Sequence, residues 1–274
     1  MKQSIEFEWN TADFEDLLRC CQFDDAVQSS LKWLNARSDK ILEAGCGSGR
    51  VVKYLYDRGY TNIYGIELNE SVVTWINKTF PMLNIIAGDL LNMPYESNYF
   101  DVVLSYGVVE HFPKGLSDPL KSIFSVLKPG GTAIITVPSL NLFRQINYWW
   151  NQKSIYAFLK NNPMLRRLLG KEPVNQSNIG YLYRIHPMNG PFFEYRLTPQ
   201  EFEEICISAG FEIMVSKPIS QVDGLFHLFG PPLVDFNHWQ FTVSPLGKAI
   251  NALFSQIPFL HNHMHFCALR KPLS

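Results

Sequence analysis

The amino-acid sequence predicts an α/β fold built on a parallel β-sheet. Between Lys40 and Pro138, short apolar runs alternate with helix-periodic segments, which is the pattern of repeated β-α-β units. Gly59 ends the first predicted helix, and Lys128-Pro129-Gly130-Gly131 forms a predicted turn before the fifth strand. Hydrophobic residues make up 46% of the 274 residues and charged residues 18%. This composition supplies a sizeable core and excludes a disordered chain.

Five strands are predicted in the first part of the chain. They are Lys40–Cys46, Ile63–Leu68, Asn84–Asp89, Phe100–Gly107 and Thr132–Pro138. Helices are predicted to begin near Gly49, Asn69 and Leu116, so that each helix connects two strands. Residues 1–138 are therefore interpreted as N-terminal helices followed by the first half of an α/β domain.

The alternation is lost over residues 139–197, and the composition changes there. This stretch carries eight Lys and Arg residues against two Glu, a net charge of +6, and its first half is rich in aromatic residues. We predict an insertion that is helical at first and looped later.

The α/β pattern resumes at residue 198. Thr198-Pro199-Gln200-Glu201 is a capping box with proline at the first helical position. We predict a strand at Phe211–Ile219, a second, apolar insertion at about 221–262, and a final strand at His265–Lys271. Residues 198–274 are thus expected to complete the same domain.

Composition also excludes several classes of function. The formal net charge is −1, from 24 Lys and Arg against 25 Asp and Glu, so no nucleic-acid partner is expected. No apolar run reaches the roughly 18–20 residues of a membrane-spanning helix. The N-terminal residues carry acids where a secretory signal would be apolar. Five irregularly spaced cysteines do not predict a disulfide framework, and a cytoplasmic setting is expected.

A glycine-rich turn directly follows the first predicted strand. The segment reads Glu43-Ala44-Gly45-Cys46-Gly47-Ser48-Gly49-Arg50. Glycines let the backbone approach a ligand closely, and the following helix offers free N–H groups at its start. Arg50 stands where the dinucleotide fingerprint requires glycine, which argues against a nicotinamide or flavin enzyme.

Three acidic residues lie at the ends of three neighbouring predicted strands. Glu43 belongs to the first, Glu67 ends the second about 20 residues further on, and Asp89 ends the third. A carboxylate after the second strand of such a unit can accept both hydroxyls of a ribose. Three carboxylates on one sheet edge suit a nucleoside far better than a phosphate group.

These segments together resemble the class I S-adenosylmethionine-dependent methyltransferases, in their small-molecule branch. The resemblance covers Asp39–Pro138 closely and Leu197–Ile219 well. The matching segments are residues 42–49, Gly65-Ile66-Glu67, Ala87-Gly88-Asp89-Leu90, Phe100-Asp101-Val102-Val103, Glu110-His111-Phe112, Leu127-Lys128-Pro129-Gly130-Gly131 and Thr198-Pro199-Gln200-Glu201-Phe202. The resemblance implies a Rossmann-like, seven-stranded sheet with an antiparallel last strand, helices on both faces and a helical, aromatic cap.

The resemblance also implies S-adenosyl-L-methionine as cofactor and gives roles to residues around it. Glu43 would face the ammonium group, with Gly45, Cys46, Gly47 and Gly49 close to the amino-acid part. Glu67 would bind the ribose and Asp89 the adenine, with Leu68 and Leu90 against the ring and Tyr106 and Gly107 near the sulfonium.

Candidate catalytic residues follow from the position of the acceptor. His111, just past the fourth strand, is the first candidate for a general base, which a hydroxyl acceptor would need. The alternative is that His111 only packs the loop or holds the cofactor. His186 and Tyr195 are further candidates in the first insertion, which commonly roofs the acceptor pocket in this family, together with Tyr181, Tyr183 and Glu194.

Two further patterns leave alternatives open. Residues 142–169 are basic and aromatic, which fits either peripheral membrane contact or an ordinary helical roof. His261, His263 and His265 would share one face of a strand, a spacing that can ligate zinc, but methyl transfer needs no metal and none is assigned.

The sequence therefore predicts a methyltransferase for a small, aromatic or lipophilic acceptor, with oxygen as the favoured methyl-receiving atom. One alternative is N- or C-methylation of a lipid, quinone or sugar precursor at the membrane surface. Others are a non-catalytic subunit with the same fold, and a dehydrogenase.

Overall fold

Strands and helices alternate over much of the chain. The computed structural model describes residues 13–153, 181–186 and 190–273. The strands are β1 (Ile41–Ala44), β2 (Ile63–Glu67), β3 (Asn84–Ala87), β4 (Phe100–Tyr106), β5 (Leu127–Pro138), β6 (Tyr181–His186), β7 (Gly190–Tyr195), β8 (Glu212–Ile219), β9 (Val234–Asn237), β10 (Gln240–Val243) and β11 (Met264–Arg270). The helices are α1 (Phe14–Cys20), α2 (Asp25–Ser30), α3 (Arg50–Tyr56), α4 (Glu70–Thr79), α5 (Ser117–Val126), α6 (Leu142–Lys153), α7 (Pro199–Ser208), α8 (Gln221–Phe229) and α9 (Pro245–Phe254).

Seven strands form one sheet in the order β3-β2-β1-β4-β5-β11-β8. The pairs β2–β3, β1–β2, β1–β4 and β4–β5 are parallel, whereas β11 is antiparallel to both β5 and β8. The predicted seven-stranded, mostly parallel sheet with an antiparallel last strand is confirmed. Because β1 has β2 on one side and β4 on the other, the chain changes direction across the sheet here, where ligands bind in open α/β sheets.

The sheet is buried on both faces because its strands carry apolar residues at successive positions. In β5, Ile135 belongs to a buried cluster with Phe202 of α7, while the adjacent Ile134 belongs to a second cluster with Val52 of α3. Successive side chains of a strand point to opposite faces. The helices therefore cover both sides of the sheet, as predicted.

The start of β5 differs from the prediction. Residues 128–131 were expected as a turn, but β5 begins at Leu127 and contains them. The register slips there, because Phe100 pairs with Leu127 whereas Val102 pairs with Thr132. Gly130 has a φ of +77° and donates its N–H to the Lys271 carbonyl at 2.8 Å. The backbone groups of this irregular segment are thus paired with the chain just after β11.

The first insertion contains a strand pair where a loop was predicted. It begins with α6, as expected, but β6 and β7 then form an antiparallel hairpin. The ends of the insertion meet, since Leu140 donates its N–H to the Leu197 carbonyl at 2.7 Å. Residues 142–153 of the predicted amphipathic segment 142–169 are described, and residues 154–169 lie outside the described residues.

The second insertion forms a small subdomain of its own. It consists of α8, the β9–β10 hairpin and α9, around a separate core of Leu225, Leu233 and Val234. Within the described parts of the chain, no helix has both the length and the hydropathy needed to cross a bilayer.

Candidate functional site

The glycine-rich loop after β1 lies against the end of β2. The N–H groups of Gly45 and Cys46 both donate to the Ile66 carbonyl at 2.9 Å. Gly45 has a φ of +79°, and a Cβ there would lie 2.7 Å from two methyl carbons of Val108. Gly49, with a φ of +76°, is the N-cap of α3. These positions require glycine because L-residues rarely adopt positive φ and because no room exists for a side chain at Gly45.

Glu67 holds this loop in place. Its Oε2 accepts the Gly47 N–H at 2.8 Å, and its Oε1 accepts the Asn69 N–H at 3.1 Å. A carboxylate oxygen can accept more than one hydrogen bond. The same carboxylate, which lines the cavity in front of the loop, can therefore also receive ligand hydroxyls.

Glu43 and Ser48 place two unsatisfied polar atoms in that cavity. Both residues are buried and line it, and neither Glu43 Oε2 nor Ser48 Oγ has a hydrogen-bond partner among the described residues. Burial raises the pKa of Glu43 to about 8, against the opposing effect of the nearby Arg50 guanidinium. Buried polar atoms are normally paired. These two atoms therefore leave hydrogen-bonding capacity for a ligand at this end of the cavity.

The cavity brings the predicted cofactor residues together. It is lined by Glu43, Gly45, Cys46, Gly47, Ser48, Arg50, Ile66, Glu67, Leu68, Gly88, Asp89, Leu90, Tyr106, Gly107, Val108, His111 and Phe112. Of the predicted set, Gly49 does not line it but starts the helix behind the loop. Asp89 caps the turn that follows β3 by accepting the Leu91 N–H through Oδ1 at 2.9 Å. The Tyr106 hydroxyl donates to Ser30 Oγ at 2.7 Å, which fixes its ring beside the cavity.

His111 lies at the rim of the same cavity, where sequence reasoning expected it. Its Nε2 is 3.8 Å from Oε1 of Glu110. Glu110 is almost fully buried, and its Oε2 has no hydrogen-bond partner among the described residues. Burial raises the pKa of Glu110 well above its usual range, and the charge of Glu194 raises it further. The protonated form of Glu110 is therefore favoured by its surroundings.

The candidates from the first insertion have different outcomes. The Tyr195 hydroxyl donates to the Pro113 carbonyl at 3.4 Å, which ties β7 to the loop after His111. Glu194 is buried and accepts from Arg196 Nε at 2.6 Å. For Tyr181, Tyr183 and His186 the structure describes only the backbone of β6, so their predicted contacts lie outside the described side chains.

The three alternating histidines do not form one site. His261 Nε2 lies 2.9 Å from Asn251 Oδ1, and His265 Nε2 lies 2.7 Å from Ser216 Oγ. His263 Nδ1 lies 2.8 Å from a terminal nitrogen of Arg144. The strand begins only at Met264, so the two-residue period of a strand does not apply to the first two histidines.

Sequence reasoning missed three residues of this region. Ser48 lies within the glycine motif and was not considered by itself. Arg50 was used only to exclude a dinucleotide site. In the structure it pairs with Asp24 at 2.8 Å and lines the cavity beside Glu43. Glu110 was overlooked beside His111. Its place in the segment Glu110-His111-Phe112 was the available signal.

Comparison with known proteins agrees with this geometry. A family model described as a methyltransferase domain matches residues 42–135. A protein of Mycolicibacterium smegmatis, named as a probable S-adenosylmethionine-dependent methyltransferase, is 29% identical over 198 residues, 72% of this chain and 59% of the relative. Residues 42–135 thus match a methyltransferase domain, and the relative that spans most of this chain is named for dependence on S-adenosylmethionine. The cofactor of this methyltransferase domain is S-adenosylmethionine.

Other relatives match a smaller part of the methyltransferase. The 24-methylenesterol C-methyltransferase 3 of Arabidopsis thaliana is 35% identical over 97 residues, 33% of this chain and 27% of the relative. A phthiotriol/phenolphthiotriol dimycocerosates methyltransferase of Mycobacterium leprae is 32% identical over 107 residues, 36% of this chain and 37% of the relative. The matched part thus spans 27–59% of the length of these curated relatives.

Solved structures share the fold over nearly the whole chain. A methyltransferase of Methanosarcina mazei superposes with a TM-score of 0.54 at 17% identity, covering 89% of this chain and 96% of the other. The cyclase SpnF superposes with a TM-score of 0.50 at 14% identity, covering 100% of this chain and 89% of the other. A cyclase on this fold shows that the fold alone does not specify the reaction.

The residues present fit S-adenosylmethionine. The ligand carries an ammonium group, which the unpaired Glu43 oxygen can accept, and ribose hydroxyls, which Glu67 can accept. Arg50 lies beside Glu43 and can face the carboxylate of the same amino-acid moiety. The tight approach at Gly45 leaves the loop backbone, without a side chain, against the ligand.

Proposed function

We propose that the protein is a methyltransferase that transfers the methyl group of S-adenosylmethionine to a small-molecule acceptor, most favourably to an oxygen atom. The observation that carries the proposal is the cavity after β1, which combines a side-chain-free loop, the unpaired Glu43 oxygen and the carboxylates of Glu67 and Asp89. A family model and S-adenosylmethionine-dependent relatives support it.

The chain's own residues would bind the cofactor and orient it toward the acceptor. S-adenosylmethionine, when bound, supplies an electrophilic methyl group on its sulfur. Glu43 would hold the ammonium group, Glu67 the ribose hydroxyls and Asp89 the adenine amine. Holding acceptor and methyl group in line in a site that excludes water lowers the barrier by several kcal/mol without further chemistry.

The position of His111 supports oxygen as the acceptor atom. A hydroxyl must lose its proton as it attacks, and this requires a proton acceptor within reach. His111 lies at the cavity rim beside Gly107, at the end of β4 where the sulfonium would be. Its Nε2 lies 3.8 Å from Oε1 of Glu110, a carboxyl whose pKa burial raises well above its usual range.

A lipid acceptor is the second candidate, because α6 exposes an apolar face. Leu142, Ile146 and Trp150 follow each other at intervals of four residues and are 40%, 59% and 63% exposed. Residues spaced in this way share one side of a helix. Two relatives are named for sterol C-methylation and for methylation of a mycobacterial lipid, which supports C-methylation or lipid methylation at a membrane surface.

Calorimetry with S-adenosylmethionine and S-adenosylhomocysteine tests the cofactor site. We expect both to bind, and Glu67→Ala to bind them more weakly. A folded protein that produces no heat with either compound contradicts the proposal.

A labelled methyl group tests the reaction. The protein and methyl-labelled S-adenosylmethionine are incubated with matched phenols, amines and sterols, and the products are analysed by mass spectrometry. Label in a phenol supports O-methylation, and label in a sterol supports the second candidate. Tight cofactor binding without transfer to any acceptor class would favour the non-catalytic subunit.

Flotation with vesicles tests the membrane version of the second candidate. We expect the protein to float with vesicles of anionic lipid if α6 contacts a membrane, and Ile146→Ser with Trp150→Ser to abolish flotation. Ile207→Ser, an exposed apolar position on α7, is the matched control.

A further inference from the structure

A second cavity, of about 780 Å³, lies next to the cofactor site. It is lined by Asn141 and Arg144 at the start of α6, Glu194 and Arg196 around the end of β7, His227 of α8 and His263 before β11, among others. The two cavities lie close together because β7, which carries Glu194, packs against residues 109–111, and His111 of that segment lines the cofactor cavity.

Arg144 is a half-buried cation whose hydrogen bonds, among the described residues, all go to neutral acceptors. One terminal nitrogen donates to the Ser139 carbonyl at 2.6 Å and the His263 carbonyl at 3.2 Å, and the other contacts His263 Nδ1 at 2.8 Å. Across the described residues, no carboxylate lies within 4.0 Å of this guanidinium. A guanidinium has five N–H donors, so donors remain for a further acceptor.

A second guanidinium lies close by. Burial and the charge of Arg196 lower the pKa of Arg144 to about 10, against the opposing charges of Glu194 and Asp223, so Arg144 stays cationic at neutral pH. Glu194 is occupied by Arg196 at 2.6 Å. Asp223 Oδ2 lies 3.8 Å from His263 Nδ1, and Asp223 forms no ion pair with Arg144. Buried charges in proteins are normally paired.

We infer that this second cavity binds an anionic group of the acceptor, a carboxylate or a phosphate, through the guanidinium of Arg144 with Arg196 beside it. The inference rests on the proposed function, because it makes the cavity the acceptor's anchoring site. It narrows the acceptor to an acidic molecule. The anchored group is distinct from the atom that is methylated, because bonds to a guanidinium occupy the lone pairs of an anion.

A metal ion fits this site less well. Asp223, His227 and His263 place one ligand atom each within 4.8 Å of one another, which is the geometry of a candidate metal centre. However, the Arg144 guanidinium lies 2.8 Å from His263 Nδ1, which takes up the ring lone pair facing the cluster and puts a positive charge there. The same charge that repels a metal ion attracts an anion.

Anion binding to the purified protein tests the inference. Inorganic phosphate and benzoate are titrated separately in the presence of S-adenosylhomocysteine, which distinguishes a phosphate from a carboxylate site. We expect at least one of these anions to bind. Arg144→Gln should weaken the affinity for that anion about tenfold or more, because a charge-assisted hydrogen bond is lost. Arg270→Gln, at the far end of β11 from the cavity, is the matched control and should leave anion binding unchanged.

A second variant and a second readout keep the result interpretable. Arg144→Lys keeps the charge but lacks the planar fork, so we expect it to bind the anion with intermediate affinity. Affinity for S-adenosylhomocysteine should be unchanged in all three variants. Failure of the wild type to bind either anion, or equal binding by Arg144→Gln, overturns the inference while leaving the proposed function intact. Loss of cofactor binding in the wild type would refute the proposed function instead.

Discussion

The pH dependence of cofactor binding is the sharpest test of the role given to Glu43. Burial raises the pKa of this carboxyl to about 8, so below that pH it is mainly neutral in the empty site. An ammonium group in contact with it favours the ionised form. Binding S-adenosylmethionine should therefore release a proton from Glu43, and affinity should rise with pH between pH 6 and pH 7.

The size of the effect follows from the fraction of Glu43 that is ionised. With a pKa of about 8, that fraction changes about ninefold between pH 6 and pH 7, or ~1.3 kcal/mol of binding free energy. At pH 7, about 0.9 proton should be released for each cofactor bound. The ammonium group of an amino acid stays protonated over this interval, because α-amino groups titrate near 7.7–8.0.

Isothermal titration calorimetry measures both quantities. Affinity is determined at pH 6.0, 6.5 and 7.0, and proton release is obtained by repeating the titration in buffers with different heats of ionisation. Glu43→Gln is the control, because it keeps the shape of the side chain but cannot ionise. We expect weaker binding with little dependence on pH in this variant. An equal slope in the wild type and in Glu43→Gln would refute the assignment of Glu43 to the ammonium group.

Further substitutions test the loop, the nucleoside contacts and the base. Glu67→Ala should weaken cofactor binding by about 1–3 kcal/mol in calorimetry, because the Gly47 N–H and the ribose lose an acceptor, and Asp89→Ala should cost less. Gly45→Ala should lower the free energy of unfolding, measured in urea, by about 2–4 kcal/mol, because the new Cβ meets Val108 and φ is positive. Gly115→Ala is the control, since φ is positive there but no atom lies near its Cβ, and it should lower the free energy of unfolding by only about 1–2 kcal/mol. His111→Ala should reduce single-turnover rates by about 10²–10⁴ with cofactor affinity nearly unchanged. Full activity in that variant would exclude His111 as the base.

Local patterns were enough to predict the first half of the domain. Each of β1 to β4 is a short apolar run, and the residues that end or follow them, such as Glu67 and Asp89, come together simply because parallel strands end at one edge. The glycine loop was equally predictable, because its spacing reports a backbone geometry that few other residues tolerate. The resemblance to a known family supplied the antiparallel position of β11, which no local pattern contains.

The second cavity could not be predicted in the same way. Arg144, Arg196 and His263 lie in three separate segments of the chain, and only the packing of the two insertions against the sheet brings them together. From the sequence alone, the charged residues Arg144 and Arg196 fitted a solvent-exposed face of the first insertion. The sequence showed that the first insertion is basic and aromatic, but not which of its guanidinium groups line a cavity.

The position of β11 has a consequence for synthesis on the ribosome. Strands β1 to β5 can pair as soon as they emerge, but β8 is hydrogen-bonded within the sheet to β11 alone. Until residues 264–270 leave the exit tunnel, β5 and β8 both present bare edges, which are templates for pairing with other chains. Nascent chains stalled after β8 has left the exit tunnel but before residues 264–270 have left it should therefore be the species that most need a chaperone.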